Sequence, residues 1–205
     1  MASIMTEMTT YKTISQPIVA EFKDKGSRFI AFAYPILTID DVKKHVENLR
    51  QKHHKARHWC YAYRLGVDGN QFRANDDGEP SGSAGRPILG QIDSFELTDV
   101  LVVVVRYFGG TLLGVPGLIH AYKTSTQMAF QTAQIVEKNI EKMVQIRCDY
   151  PHLNEAIRIA KNHHAQIITQ DLQLNCCLLV RIPLANFTRC VVAWKETRFI
   201  QIIDE

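Results

Sequence analysis

Asp76-Asp77-Gly78-Glu79 places three carboxylates within four residues, and such clusters do two kinds of chemistry. They bind a hard cation such as magnesium, or their mutual repulsion raises one pKa and creates an acid–base group. The same residues also serve as solvated turn residues, with the Asp-Gly and Glu-Pro steps setting the backbone. The turn reading is preferred, because no partner ligands stand at a recognisable spacing. Magnesium on Asp76, Asp77 and Glu79 is kept as the alternative, and no other cofactor is expected. The stretch from Pro80 to Pro87 follows. Its small residues Ser81, Gly82 and Ser83 let another backbone or a ligand approach, and their amides and hydroxyls can hold an anion beside Arg86.

A second segment, Arg106 to Gly117, runs from a strand through Gly109, Gly110, Gly114 and Gly117 toward a helix. That arrangement presents free amides and a positive dipole to phosphate. It is neither Gly-x-Gly-x-x-Gly nor a loop ending in Gly-Lys-Ser/Thr, which weakens a nucleotide enzyme. Arg106, Tyr107 and Phe108 add a cation and two π faces, the parts that grip an RNA backbone and stack bases. The competing use is burial of alternate residues in the core. Tyr122 and Lys123, with His120, follow about one helical turn on and add polar contacts. No Gly-x-Ser-x-Gly, His-Glu-x-x-His or supported Cys/His pair is present, so catalysis has no protagonist. The combined surface, Asp76 to Tyr122, reads as a binding surface.

The elements that must hold these loops are legible. Tyr11 to Pro35 reads as two strands around the turn Lys23-Asp24-Lys25-Gly26. Asp40 caps a helix to Lys52, with Val42, Val46 and Leu49 on one face, and His53 and His54 at its C-terminus suit the partial negative charge there. Trp59, Tyr61 and Tyr63 alternate along a strand that ends at the turn Gly66 to Asn70. A helix is expected over Pro87 to Phe95. Val100 to Arg106 is a strand apolar enough to be buried on both faces. A long helix then runs from about Gly117 to Ala133, packing through Leu118, Ala121, Tyr122, Ser125, Met128 and Ala129. Beyond Lys138 come strand 141–150, helix 152–164, strands 165–172 and 175–184, helix 186–197 and strand 198–203. This is the βαββαβ, ferredoxin-like order. The fold class is α+β, in two domains, 1–136 and 137–205, with no flexible linker visible between them.

Composition excludes several classes. With 46% hydrophobic and 22% charged residues the chain is an ordinary globular one. Its longest apolar run, Val100 to Val105, is far short of the roughly 20 residues of a membrane-spanning helix. Met1 to Thr10 lacks a basic region followed by an apolar core and reads as a frayed tail, not a secretory signal. Five cysteines without a Cys-x-x-Cys argue against a disulfide framework or zinc ribbon and for a reducing, cytoplasmic setting. Cys176 and Cys177 fall on opposite sides of one strand, at least one as a core residue. Net charge is only +3, so any nucleic-acid binding depends on a local patch.

Ala56-Arg57-His58-Trp59-Cys60-Tyr61-Ala62-Tyr63-Arg64, Asp76 to Pro87 and Arg106 to Tyr122 together resemble the YigZ/IMPACT family. The resemblance spans nearly the whole chain. It implies a first domain of the ribosomal-protein-S5-domain-2-like type and a ferredoxin-like second domain similar to the last domain of translocating elongation factors. It adds Arg57 and His58 to the candidate surface. The two folds imply a non-enzymatic RNA- or ribosome-binding role in translation. A Mg-dependent phosphate-handling enzyme and a protein-interaction module acting through the C-terminal sheet are the alternatives. Relative to the family pattern, Leu113 and His120 stand where Lys and Arg are usual, and Pro116 replaces a small residue.

Overall fold

The structure is a computed structural model that describes residues 8–173 and 175–204. They form two compact units, one of Tyr11–Lys138 and one of Asn139 onward together with the described residues before Tyr11. Of the expected frayed start, Met1–Glu7 lies outside the described residues, and Thr10 already belongs to a strand.

The chain opens with β1 (Thr10–Ile14), β2 (Ile18–Asp24) and β3 (Ser27–Pro35). Lys25 and Gly26 join β2 to β3 with φ values of 43° and 79°, a two-residue turn whose twist matches that of its strands. Helix α1 (Ile39–Lys52) follows. Its cap is Thr38 and not Asp40. The Thr38 hydroxyl accepts from the Asp41 amide at 3.1 Å, and the Asp41 carboxylate accepts from the Thr38 amide at 2.9 Å. Thr38 and Asp41 have the three-residue spacing of this reciprocal box, whereas Asp40 stands exposed in the first turn.

The unit continues with β4 (His58–Leu65), β5 (Gln71–Asn75), α2 (Gly85–Ser94), β6 (Val100–Tyr107), α3 (Gly114–Thr132) and β7 (Ile135–Asn139). Five strands form one sheet in the order β2-β3-β6-β4-β5, every neighbouring pair antiparallel. Central β6 explains its own composition. Val100, Val102 and Val104 pack with Ile88 and Ile92 of α2 and Leu118 and Tyr122 of α3, while Leu101, Val103 and Val105 pack with Val42, Val46 and Leu49 of α1. With helices on both faces the strand is continuously apolar instead of alternating. Strands β1 and β7 pair as a separate ribbon.

Two helix boundaries differ from expectation. Helix α2 begins at Gly85, before Pro87, and α3 at Gly114, before Gly117. First-turn amides have no intrahelical partner, so proline there costs no hydrogen bond. Met128 is exposed, and Thr126 and Phe130 complete the stripe in its place.

The second unit contains β8 (Glu141–Cys148), a short 3-10 turn at Tyr150–His152, α4 (Leu153–Asn162), β9 (Gln166–Leu172), β10 (Cys176–Pro183), α5 (Leu184–Glu196) and β11 (Ile200–Asp204). Its antiparallel sheet has the order β11-β8-β10-β9. This is the ferredoxin-like arrangement. Val144, Ile146, Leu178, Val180 and Ile182 face Ala156, Ala160, Val191 and Trp194 across the core. The Trp194 indole N–H, buried with it, donates to the Ala156 carbonyl at 3.2 Å. Cys176 is in this core and Cys177, on the opposite face, is half-buried.

Candidate functional site

The three carboxylates of the acidic loop point to three different sets of partners. Asp76 accepts from the amides of Gly82, Ala84 and Gly85 at 2.8, 3.0 and 2.8 Å. Helix α2 has no side-chain cap of its own, so Asp76 satisfies its first amides from eight or nine residues upstream. Burial alone would raise the Asp76 pKa, but the amides of Gly82, Gly85 and Ala84 and the charge of Arg86 outweigh it and hold the carboxyl below its ordinary value. Asp77, at φ 43°, accepts from the Trp59 amide at 2.7 Å and from Arg50 at 2.5 Å. Glu79 is only 9% exposed. Its Oε1 accepts from Arg106 Nη1 at 2.6 Å and from the Tyr122 hydroxyl at 2.8 Å.

Solvated turn residues therefore do not describe this loop. Among the described residues, no group of three or more His, Cys, Asp or Glu is placed to hold a metal ion. The anion site expected beside Arg86 is filled from within, because the Gly82, Ala84 and Gly85 amides already hold the Asp76 carboxylate. Ser83 is buried and donates to the Pro80 carbonyl at 2.6 Å, which leaves Ser81 and Arg86 as the exposed polar side chains of the stretch. Gly85 is required by space: a Cβ there would stand 2.5 Å from the Asn75 amide nitrogen.

The second loop brings its residues to the first. Arg106, on β6, is 5% exposed, with its guanidinium over the rings of Phe29 and Phe108 at 5.4 and 5.6 Å. Its Nε–H is buried and has no hydrogen-bond partner among the described residues, a state that costs about 1–3 kcal/mol when nothing accepts it. A free cation for phosphate, as the sequence suggested, is not what Arg106 is. Tyr122 is likewise fully buried, edge-on to Phe29 at 5.1 Å and accepting from the Cys60 thiol at 3.2 Å, so it offers no face to a base. Burial pushes the pKa of both Cys60 and Tyr122 far up. Tyr107 is half-buried, its hydroxyl 2.9 Å from His53 Nδ1.

Phe108, by contrast, is 42% exposed. Gly109 packs backbone to backbone on the β2–β3 turn: a Cβ would stand 1.9 Å from the Gly26 carbonyl carbon, and its amide donates to Ser27 at 3.1 Å. Gly110 is exposed and Gly114 opens α3, both at positive φ. Gly117 lies inside α3, and Lys123 is exposed on it. His120 meets Phe22 edge-on at 5.8 Å.

Between the loops lies a cleft of about 410 Å³. Arg57, His58, Glu79 and Arg106 give it polar groups, and Phe108, Leu112, Leu113, Val115 and Leu118 give it apolar walls. His58 donates from Nδ1 to the Asp77 carbonyl at 2.9 Å, which places Nε2 3.9 Å from Glu79. Of the residues singled out in the sequence, Arg57, His58, Glu79, Arg106, Phe108 and Gly114 line this cleft. The apolar wall was not anticipated. Its signal was there in Leu112-Leu113 and Val115, large apolar residues in a glycine-rich loop, where Leu112 is 83% exposed.

Fold and cleft together define a two-unit α+β protein whose first unit carries the site. Residues 25–130 match the Impact N-terminal domain. An IMPACT family member from Haemophilus influenzae is 33% identical over 177 residues, covering 85% of this chain and 86% of its own. IMPACT family member YigZ of Escherichia coli K12 is 32% identical over 181 residues, covering 87% and 89%. A crystal structure of a hypothetical protein aligns with 97% of this chain and 98% of its own at 29% identity, with a TM-score of 0.77. The chain belongs to the IMPACT family.

Proposed function

We propose that this is a non-enzymatic, cytoplasmic RNA- or ribosome-binding protein that acts on translation, and that the cleft between the two loops is where it meets RNA. The observation that carries the reading is that Phe108 and Arg57, both exposed residues, line the same cleft. An aromatic platform next to a backbone-tracking cation is the common equipment for single-stranded RNA. The pairing of an S5-domain-2-like with an elongation-factor-like fold supports translation as the setting. Arg86 on α2 and Lys123 on α3, both exposed, add positive charge to the surface of the same unit. A magnesium-dependent enzyme has less support, since Asp76, Asp77 and Glu79 are each engaged by separate protein donors.

Filter binding of ribosomal RNA, and co-sedimentation with ribosomes, should weaken steeply between about 50 and about 200 mM salt. Arg57→Ala/Arg86→Ala should bind more weakly at every salt concentration with a shallower salt slope, since exposed cations are removed and the fold is spared. Binding by this double variant equal to wild type would overturn the reading. A protein-interaction module is the second reading. Met143, Ile168 and Ile203 are exposed apolar residues on strands of the second unit's sheet, and salt-insensitive capture of ribosomes without RNA binding would favour it.

A further inference from the structure

We infer that the cleft seats one unstacked nucleobase and that the base it fits is guanine, an inference that rests on the RNA-binding reading and specifies its ligand. Three observations carry it. Phe108 stands at the cleft with 42% of its surface exposed, and the Arg106 guanidinium packed 5.6 Å from its centroid fixes the ring. A fixed, half-open aromatic beside aliphatic walls suits a flat, weakly polar ring.

The second observation is the polar pair in the cleft. Arg106 spends Nη1 on Glu79, while its buried Nε–H has no acceptor among the described residues. Among the described residues both hydrogen-bond donors recorded for Glu79 use Oε1, and Arg106 and Glu79 stand side by side in the lining. Guanine alone among the bases has two adjacent N–H donors, N1–H and the 2-amino group, next to an acceptor, O6. A carboxylate takes the donors and a guanidinium takes the acceptor. Adenine and cytosine offer a single exocyclic amine, and uracil flanks one N–H with two acceptors, which would face the Glu79 carboxylate.

The third observation is charge. Arg57 and Arg106 against Glu79 leave the lining with a net positive charge. Arg57 is exposed, placed to meet the phosphate that accompanies a base whose edge is read deeper in.

The test uses short uridine oligomers carrying a central guanosine, adenosine, cytidine or inosine, with fluorescence anisotropy on the full-length protein. Guanosine should bind about tenfold tighter than adenosine or cytidine. Inosine, which lacks the 2-amino group, should fall between. Phe108→Ala, at an exposed position that spares the fold, should weaken binding of every oligomer several-fold, and Glu79→Gln, checked as folded by circular dichroism, should remove the guanosine preference. Equal, salt-sensitive binding of all the oligomers would overturn the guanine site and leave the RNA reading standing. Undiminished binding by Phe108→Ala, or a guanosine preference unchanged in folded Glu79→Gln, would also overturn it. No binding of any oligomer or of ribosomal RNA would remove both.

Discussion

Arg106 Nη1 lies 2.6 Å from Glu79 Oε1 with both side chains more than nine-tenths buried, which ties the central strand of the first sheet to the acidic loop. A buried ion pair is weak as a source of stability, because desolvation offsets most of the attraction. Here it brings together two sequence motifs 27 residues apart, and Tyr122 of α3 joins at the same oxygen. The pair therefore fixes where the two loops stand relative to each other. Glu79→Met or Arg106→Met should each destabilise by about 3–5 kcal/mol, since each leaves an uncompensated buried charge. The double variant Glu79→Met/Arg106→Met should lie closer to wild type than either single variant. Denaturant unfolding of the set checks this, and additive losses would show that the pair is not coupled.

Asp76 gives a pH dependence with a definite sign. Its carboxyl is held below its ordinary value of 3.8 in the folded chain, where the amides and Arg86 overcome burial. The stabilisation is thus present above about pH 4 and is lost as the pH falls below 3.8 through the folded value. Asp76→Ala should cost about 1–2 kcal/mol at neutral pH, as loss of a helix cap does. Asp76→Asn, which keeps the acceptor and drops the charge, should flatten the acid limb of the stability curve. Urea midpoints from neutral pH down to acid would reveal an unchanged limb if the cap carries no charge effect.

The glycines of the second loop separate space from conformation. Gly109→Ala should be severely destabilising, because its Cβ would overlap the Gly26 backbone. Gly110 has open space but φ 90°, so Gly110→Ala should cost only the strain of that backbone, of order 1–3 kcal/mol. Thermal melts of the two variants should rank in that order.

The cysteines offer a check on the packing of both units. Cys60, Cys148, Cys176 and Cys190 are buried and Cys177 is half-buried. Burial pushes the Cys190 thiol up to about 12 and the Cys148 thiol up to about 11, which suppresses the reactive thiolate. Alkylation of the native protein followed by peptide mapping should label Cys177 first. Early labelling of Cys60 would contradict the buried network around Tyr122.

The fold was largely legible because periodicity is local. The apolar run of β6, the α1 face and the βαββαβ order of the second unit all stand where their patterns put them. Helix starts at Gly85 and Gly114 were read late, because glycine and proline in a first helical turn look the same in sequence as a loop. The site was legible as a place and not as chemistry. That Asp76 caps α2 and that Arg106 faces Glu79 are long-range facts, and no spacing rule encodes a buried partner 27 residues away. Charge on Arg106 and aromaticity at Tyr122 suggested exposed contacts, whereas the sheet and α3 turn both inward. Leu113 lines the cleft, so this part of the loop supplies apolar wall and no charge.

Hydrogen exchange with and without bound ribosomal RNA tests the location of the binding surface most directly. Exchange should slow in the segments 76–87 and 106–117 and around Arg57, with the second unit from Asn139 onward unchanged. Protection confined to the strands of the second unit, or no protection at the two loops when RNA is bound, would contradict it.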